Sequence, residues 1–168
     1  MKKIEIKELT GMKYIAIKKY IPVYKMPFFF KKSFKILQNT IKDISADNKF
    51  FARYSNIDWD TVECQKGFLG ALKGIFKKFD IEVAISFAEK PDNLESSIIC
   101  SEFETVPKSL QCVHVGPYHK IADTYKIMME FAQQNNLIIE NETFEIYLND
   151  PKIVKAENLE TLVILPLK

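Results

Sequence analysis

The chain has 168 residues, 47% of them hydrophobic, and a formal net charge of +2. That length suits one domain or two small fused modules, the hydrophobic share excludes a disordered chain, and the near-neutral balance gives no global field for nucleic acid. Thirteen Phe and seven Tyr against a single Trp point to an aromatic-rich interior or cavity.

The elements read as follows in chain order. A strand over 4–7 leads through a turn at Thr10 and Gly11 into a strand over 14–20, ended by Pro22. A helix over 30–45 follows, with Phe34, Leu37 and Ile41 at helical spacing. A strand over 50–54, a loop through Asn56 and Trp59, and a strand over 81–87 close the first half. The second half repeats the order: a strand over 98–103, a turn at Val106 and Pro107, a strand over 109–115 ended by Gly116 and Pro117, and a helix over 121–135. Tyr125, Met128, Met129 and Ala132 lie on the apolar side of that helix, and Asn135 and Asn136 stop it. Strands over 144–148 and 161–165 follow, joined by a turn at 149–151.

Each half is therefore strand, strand, helix, strand, strand. Pro22 matches Pro117, Tyr54 matches Tyr147, and Asn56 matches Asn149. The expected fold is α+β, a tandem pseudo-twofold repeat within residues 1–168, with modules at about 1–90 and 97–168. An insertion at about 62–79 has no counterpart in the second half. Its Phe68, Leu69, Leu72, Ile75, Phe76 and Phe79 fall on a helical stripe with lysines mostly off it. An inserted helix is expected, as packing element, lid, or weak membrane-surface contact. The PFFFKK run at 27–32 reads either as a lipid or nucleic-acid contact or, as the favoured expectation, as the start of the first helix with two of its rings buried.

The segment TFEIYLNDP, residues 143–151, carries a carboxylate in mid-strand. Successive strand side chains alternate between faces. Phe144, Ile146 and Leu148 share one face; Glu145, Tyr147 and Asn149 share the other. The place of Glu145 is held by Ala52 in the first half. A repeat needs its core residues twice but a binding charge once, so Glu145 is a candidate functional residue or a water-facing one.

Three cysteines, Cys64, Cys100 and Cys112, contain no C-x-x-C pair, so buried thiols are expected rather than a disulfide framework. His114 and His119 lack nearby Cys, and neither metal nor cofactor is expected. The N-terminus has no apolar signal core, and no apolar run approaches the ~20 residues of a membrane span. A cytoplasmic protein is expected.

VGPYHKIADTYKIMMEFAQQNNL, then FEIYLNDP, then LETLVILPLK resemble the GyrI-like small-molecule-binding domain, which is also the effector-binding half of AraC-type and multidrug-sensing MerR-type regulators. The resemblance is strong over 112–168, fair over 4–20 and 50–59, and fails over the insertion. YIPVYKM also replaces the family's glycine-proline-aromatic pattern in the first half. The resemblance implies a pseudo-twofold fold whose antiparallel sheets form a central ligand groove between the two modules, with Glu145 accepting cationic or polar ligands and aromatic walls that include Tyr147. Repeat symmetry extends the candidate lining to Tyr54, Trp59 and Phe87. The leading expectation is a stand-alone protein that senses or sequesters a small hydrophobic or cationic molecule. With the first strand beginning so early, specific DNA binding by this chain alone is not expected. Some members of the family hydrolyse strained cyclopropane-bearing toxins, which makes a hydrolase with Glu145 as general base and Tyr147 as its partner the alternative. A protein-interaction module of the gyrase-inhibitor kind is the third.

Overall fold

The computed structural model describes residues 3–41, 47–59, 77–92 and 94–168. Its elements are β1 (Ile4–Leu9), β2 (Met12–Pro22), α1 (Met26–Thr40), β3 (Phe50–Ser55), β4 (Lys78–Ser86), β5 (Ile99–Phe103), β6 (Val106–Val115), α2 (Ile121–Gln134), β7 (Glu142–Tyr147) and β8 (Glu160–Pro166). The α+β repeat of strand, strand, helix, strand, strand is present.

The eight strands form one sheet in the order β1-β6-β8-β7-β3-β4-β2-β5. All the pairings are antiparallel. The order reads the same from either end in module terms, with β7 and β3 in the centre. The sheets of the two modules are thus continuous across β3–β7. The leading strands are exchanged: β1 pairs with β6, and β5 with β2. Gly11 makes this exchange possible. A Cβ there would lie 2.6 Å from the Phe103 carbonyl oxygen, so only glycine lets the β1–β2 turn pack on the β5–β6 turn.

Several elements begin earlier than the pattern suggests, β6 and α1 among them. Val106 and Pro107 open β6 instead of forming a turn. Proline is tolerated at the start of a strand, where no ladder hydrogen bond depends on its nitrogen. Helix α1 starts at Met26, earlier than the expected 30, with Pro27 in its first turn, where a missing N–H leaves no bond unmade. In both modules a proline, Pro22 or Pro117, caps a one-turn 3-10 helix that runs straight into the main helix. The stop at Asn135 and Asn136 is as expected. Asn136 takes φ 54°, and the Leu137 N–H bonds the Ala132 carbonyl at 2.9 Å, closing a Schellman turn.

The helices cover one face of the sheet. Under α1, Leu37 and Phe29 pack on Ile15, Ile81, Val83 and Ile85. Under α2, Met128 and Ala132 pack on Leu110, Cys112, Val163 and Leu165. The opposite face holds its own cluster of Tyr14, Phe51, Phe144, Ile146 and Ile164, with Phe103 packed against it. Burial of Phe51 and Phe144 contributes roughly 1.5–3 kcal/mol each. Cys112 is buried, but Cys100 is exposed, against the expectation of buried thiols, because it lies on the edge strand β5. Most of the segment expected to form an inserted helix lies outside the described residues. Its last expected member, Phe79, is not helical: it lies in β4, paired with Ile21.

Candidate functional site

The site grows from the centre of the sheet. In the β3–β7 ladder Ala52 is directly opposite Glu145, Tyr54 opposite Thr143, and Phe50 opposite Tyr147. The equivalence of Tyr54 with Tyr147 requires the pseudo-twofold axis to pass through the Ala52–Glu145 pair. Glu145 therefore sits beside the axis, and the two matched tyrosines flank it. Their hydroxyls donate to the same carboxylate oxygen, Oε2, each at 3.2 Å.

A third phenol breaks the symmetry. Tyr125, the fifth residue of α2, donates to Glu145 Oε1 at 2.9 Å. The fifth residue of α1 is Phe30, which has no hydroxyl. The Tyr125 oxygen also lies 3.1 Å from Thr143 Oγ1. Three uncharged donors thus surround one carboxylate whose residue is only 6% exposed.

Burial raises the Glu145 pKa, and the hydroxyls of Tyr125, Tyr147 and Tyr54 oppose that rise. Burial, followed by the nearby Glu145 charge, pushes all three tyrosines well above their ordinary value. They therefore remain protonated donors. The contrast with Glu82, the other buried carboxylate among the described residues, is direct. Glu82 accepts from Tyr14 at 2.8 Å and pairs with Lys18 at 3.2 Å. None of the ion pairs among the described residues includes Glu145.

Rings wall the carboxylate. Tyr147 meets Phe34, Tyr118 and Phe30 edge-on, with centroids 5.7, 5.6 and 6.4 Å away. Tyr54 meets Phe79 at 6.5 Å. Tyr118 stands at the rim, 39% exposed. It is aimed there by Gly116, whose φ of 126° turns the chain, and by Pro117, which caps the short helix that Tyr118 begins.

The sequence-derived candidates separate into three groups. Glu145, Tyr147 and Tyr54 come together in one hydrogen-bonded cluster. Trp59 reaches it only through Tyr125, at a ring distance of 6.3 Å, and its indole N–H donates to the Glu140 carbonyl at 2.7 Å. Trp59 also borders a different cleft of about 720 Å³, with Ile57, Met129, Gln133 and Ile138. Phe87 is not with the carboxylate. It packs against the cluster beneath α1, four residues beyond Val83, which is in register with Ala52 and Glu145, or roughly 13 Å along the strand. Repeat symmetry placed it on the correct face but could not measure distance along the strand.

Asn149 lies beyond the end of β7 and closes the β7–β8 loop: its side chain donates to the Asn158 carbonyl and accepts from the Glu160 N–H. Asn56 makes the matching link to Asp80 at 2.9 Å. His114 bonds Thr124 at 2.8 Å, tying β6 to α2. Tyr125, Tyr118, Phe30 and Phe34 were not among the candidates. For Tyr125 a signal exists, since it is the position where one module has a hydroxyl and the other a bare ring.

A family model described as the GyrI-like small molecule binding domain matches residues 78–168, more than half of the chain. No curated protein sequence matches significantly. The crystal structure of the EcmrR C-terminal domain is similar with a TM-score of 0.77 at 16% identity, over 100% of this chain and 98% of that one. The EcmrR chain in its DNA complex gives 0.75 at 15% identity over 99% of this chain, which spans only 57% of that longer one. A hydrolase encoded by lin2189 from Listeria innocua gives 0.65 at 17% identity, over 99% of this chain and 92% of that one. SAV2435 bound to tetraphenylphosphonium gives 0.60 at 13% identity, over 99% and 94%. At such identities the likeness is one of fold.

Proposed function

This chain belongs to the GyrI-like small molecule binding domain family, and from that premise we propose that it binds hydrophobic cations, sensing or sequestering them, with Glu145 as anchor. The observation that carries this reading is the buried carboxylate that has no cationic partner among the described residues. An uncompensated buried charge is destabilising by several kcal/mol, and the three phenols offset only part of that. A bound cation supplies the missing positive charge. At 4 Å and an effective dielectric of 20 the attraction is about 4 kcal/mol. The rings of Tyr147, Tyr54, Phe30, Phe34 and Tyr118 add cation–π and apolar contact, at roughly 0.5–2 kcal/mol per well-placed ring. Such a site selects for charge and lipophilicity rather than for exact shape. A solved structure of the same fold, holding tetraphenylphosphonium, lends this ligand class support.

The test is thermal unfolding of wild type and Glu145→Gln with tetraphenylphosphonium. At ~100 times the dissociation constant the wild type gains about 2.7 kcal/mol, while the variant gains far less. Equal gains would remove Glu145 as the anchor.

One observation favours a second reading, a hydrolase of reactive small molecules. The raised pKa of Glu145 suits a general base. Glu145 would take a proton from water as the water oxygen bonds the electrophilic carbon, and Tyr147 would donate its proton to the leaving atom. Turnover of an epoxide or comparable strained electrophile, lost in folded Glu145→Gln, supports this reading; equal turnover in that variant rejects it.

A further inference from the structure

We propose that the outward face of α1 docks on an anionic lipid surface. Between Gly11 and Lys42 the sequence has eight lysines and no Asp or Glu, in a chain of net charge +2. The fold gathers part of this charge on one stripe. Phe28, Lys31, Lys32 and Lys35 follow i, i+3, i+4, i+7 spacing, and all are exposed. Lys25 and Tyr24 extend the stripe from the preceding turn, with Lys25 5.6 Å above the Tyr24 ring. Phe28 is 76% exposed and Tyr24 51%. Of the PFFFKK run, Phe29 is buried and Phe30 faces the site, so only Phe28 is left to the outside. None of the ion pairs among the described residues takes up Lys25, Lys31, Lys32 or Lys35.

The other helix is the control that the repeat provides. The exposed face of α2 bears Asp123, Lys126 and Glu130, with Lys126 and Glu130 3.9 Å apart. Building the module therefore does not require a lysine stripe with an exposed ring. Lysines beside an aromatic ring suit a bilayer interface, where the ring enters the headgroup boundary and the ammonium groups meet lipid phosphates. Nucleic acid fits less well. The chain has one arginine, Arg53, and its guanidinium is held by Glu142 at 2.7 Å, so no planar fork is available on α1 for phosphate or base edges.

The inward side of the same helix walls the carboxylate site through Phe30 and Phe34. A docked α1 would hold that wall about one helix diameter, ~10 Å, from the lipid, where hydrophobic cations concentrate. This consequence rests on the ligand reading above; the docking itself does not.

Co-sedimentation with phosphatidylcholine vesicles, with and without phosphatidylglycerol, tests the docking. Binding is expected only with phosphatidylglycerol and should weaken as salt rises. A Lys31→Glu, Lys35→Glu double variant should lose about tenfold or more in partitioning, and Phe28→Ser should weaken it without changing its salt dependence. Glu145→Gln should bind vesicles like the wild type even if it no longer binds tetraphenylphosphonium, which separates the two readings. Near-UV circular dichroism confirms that each variant is folded. No binding at low salt, equal binding to both vesicle types, indifference to the double charge reversal, or capture by duplex DNA in preference to vesicles would each overturn the proposal.

Discussion

The first and second modules share a backbone plan and divide the chemistry unequally. Both begin their helices from a proline-capped turn, both put an aromatic at the fifth helical position, and both place a tyrosine beside the axis. Glu145 and the Tyr125 hydroxyl belong only to the second module; the lysine stripe belongs only to the first. A pseudo-twofold fold provides two copies of every position, so a difference between copies marks what packing did not require.

Four substitutions would break or sharpen that comparison. Ala52→Glu places a second carboxylate across from Glu145 at a position with no exposure. We expect a loss of about 3–5 kcal/mol in chemical denaturation, since two uncompensated charges cannot share that space. Adding Glu145→Ala should recover most of it, because one carboxylate then again lies between Tyr54 and Tyr147. A double variant no more stable than the single one would show that the two axial places are not interchangeable.

Leu37→Ala gives α1 the residue that α2 carries at the same place, Ala132. Leu37 is fully buried, and the cavity should cost about 2–5 kcal/mol by urea denaturation. A loss below 1 kcal/mol would mean that α1 settles onto the sheet as α2 already does.

Tyr125→Phe gives α2 the bare ring of α1. Loss of the shortest bond to the carboxylate should cost about 1.5–3 kcal/mol when Glu145 is ionised. It should also alter the pH profile. The folded pKa of Glu145 lies above its unfolded value, so between the two the native state binds more protons than the unfolded chain. Stability therefore falls as pH rises through that window. In Tyr125→Phe the window should extend to higher pH, and in Glu145→Gln it should vanish. Superimposable denaturation midpoints from pH 4 to 8 for all three proteins would contradict this assignment.

Lys126→Ala, at the exposed α2 pair, should change stability by less than about 0.5 kcal/mol. A larger loss in thermal melting would show that the outer face of α2 contributes to packing after all.

Much of this architecture is legible along the chain, for identifiable reasons. Alternation in FEIYL assigned Phe144 and Ile146 to one face and Glu145 and Tyr147 to the other, because a strand has a period of two. Comparison of the halves singled out Glu145 against Ala52 before any distance was known. The same comparison, carried into the helices, would have exposed Tyr125 against Phe30. It passed unnoticed because a tyrosine among Met128, Met129 and Ala132 reads as part of an apolar stripe. Phe87 shows the opposite failure: periodicity set its face but carried no information about the ~13 Å along the strand between it and the register of Glu145. The exchange of β1 and β5 between modules was also invisible, since strand pairing depends on contacts far apart in sequence.

Local pattern, then, was enough for the element types, the repeat, and the singular carboxylate, because these follow from backbone periodicity and from residues present in one copy and absent from the other. Folding in three dimensions settled that two equivalent tyrosines meet at one oxygen of Glu145, that Lys18 and Arg53 on the same sheet pair with Glu82 and Glu142 instead, and that burial raises its pKa. Those outcomes rest on distance and solvent exclusion, which arise only when strands from both halves close around a common axis.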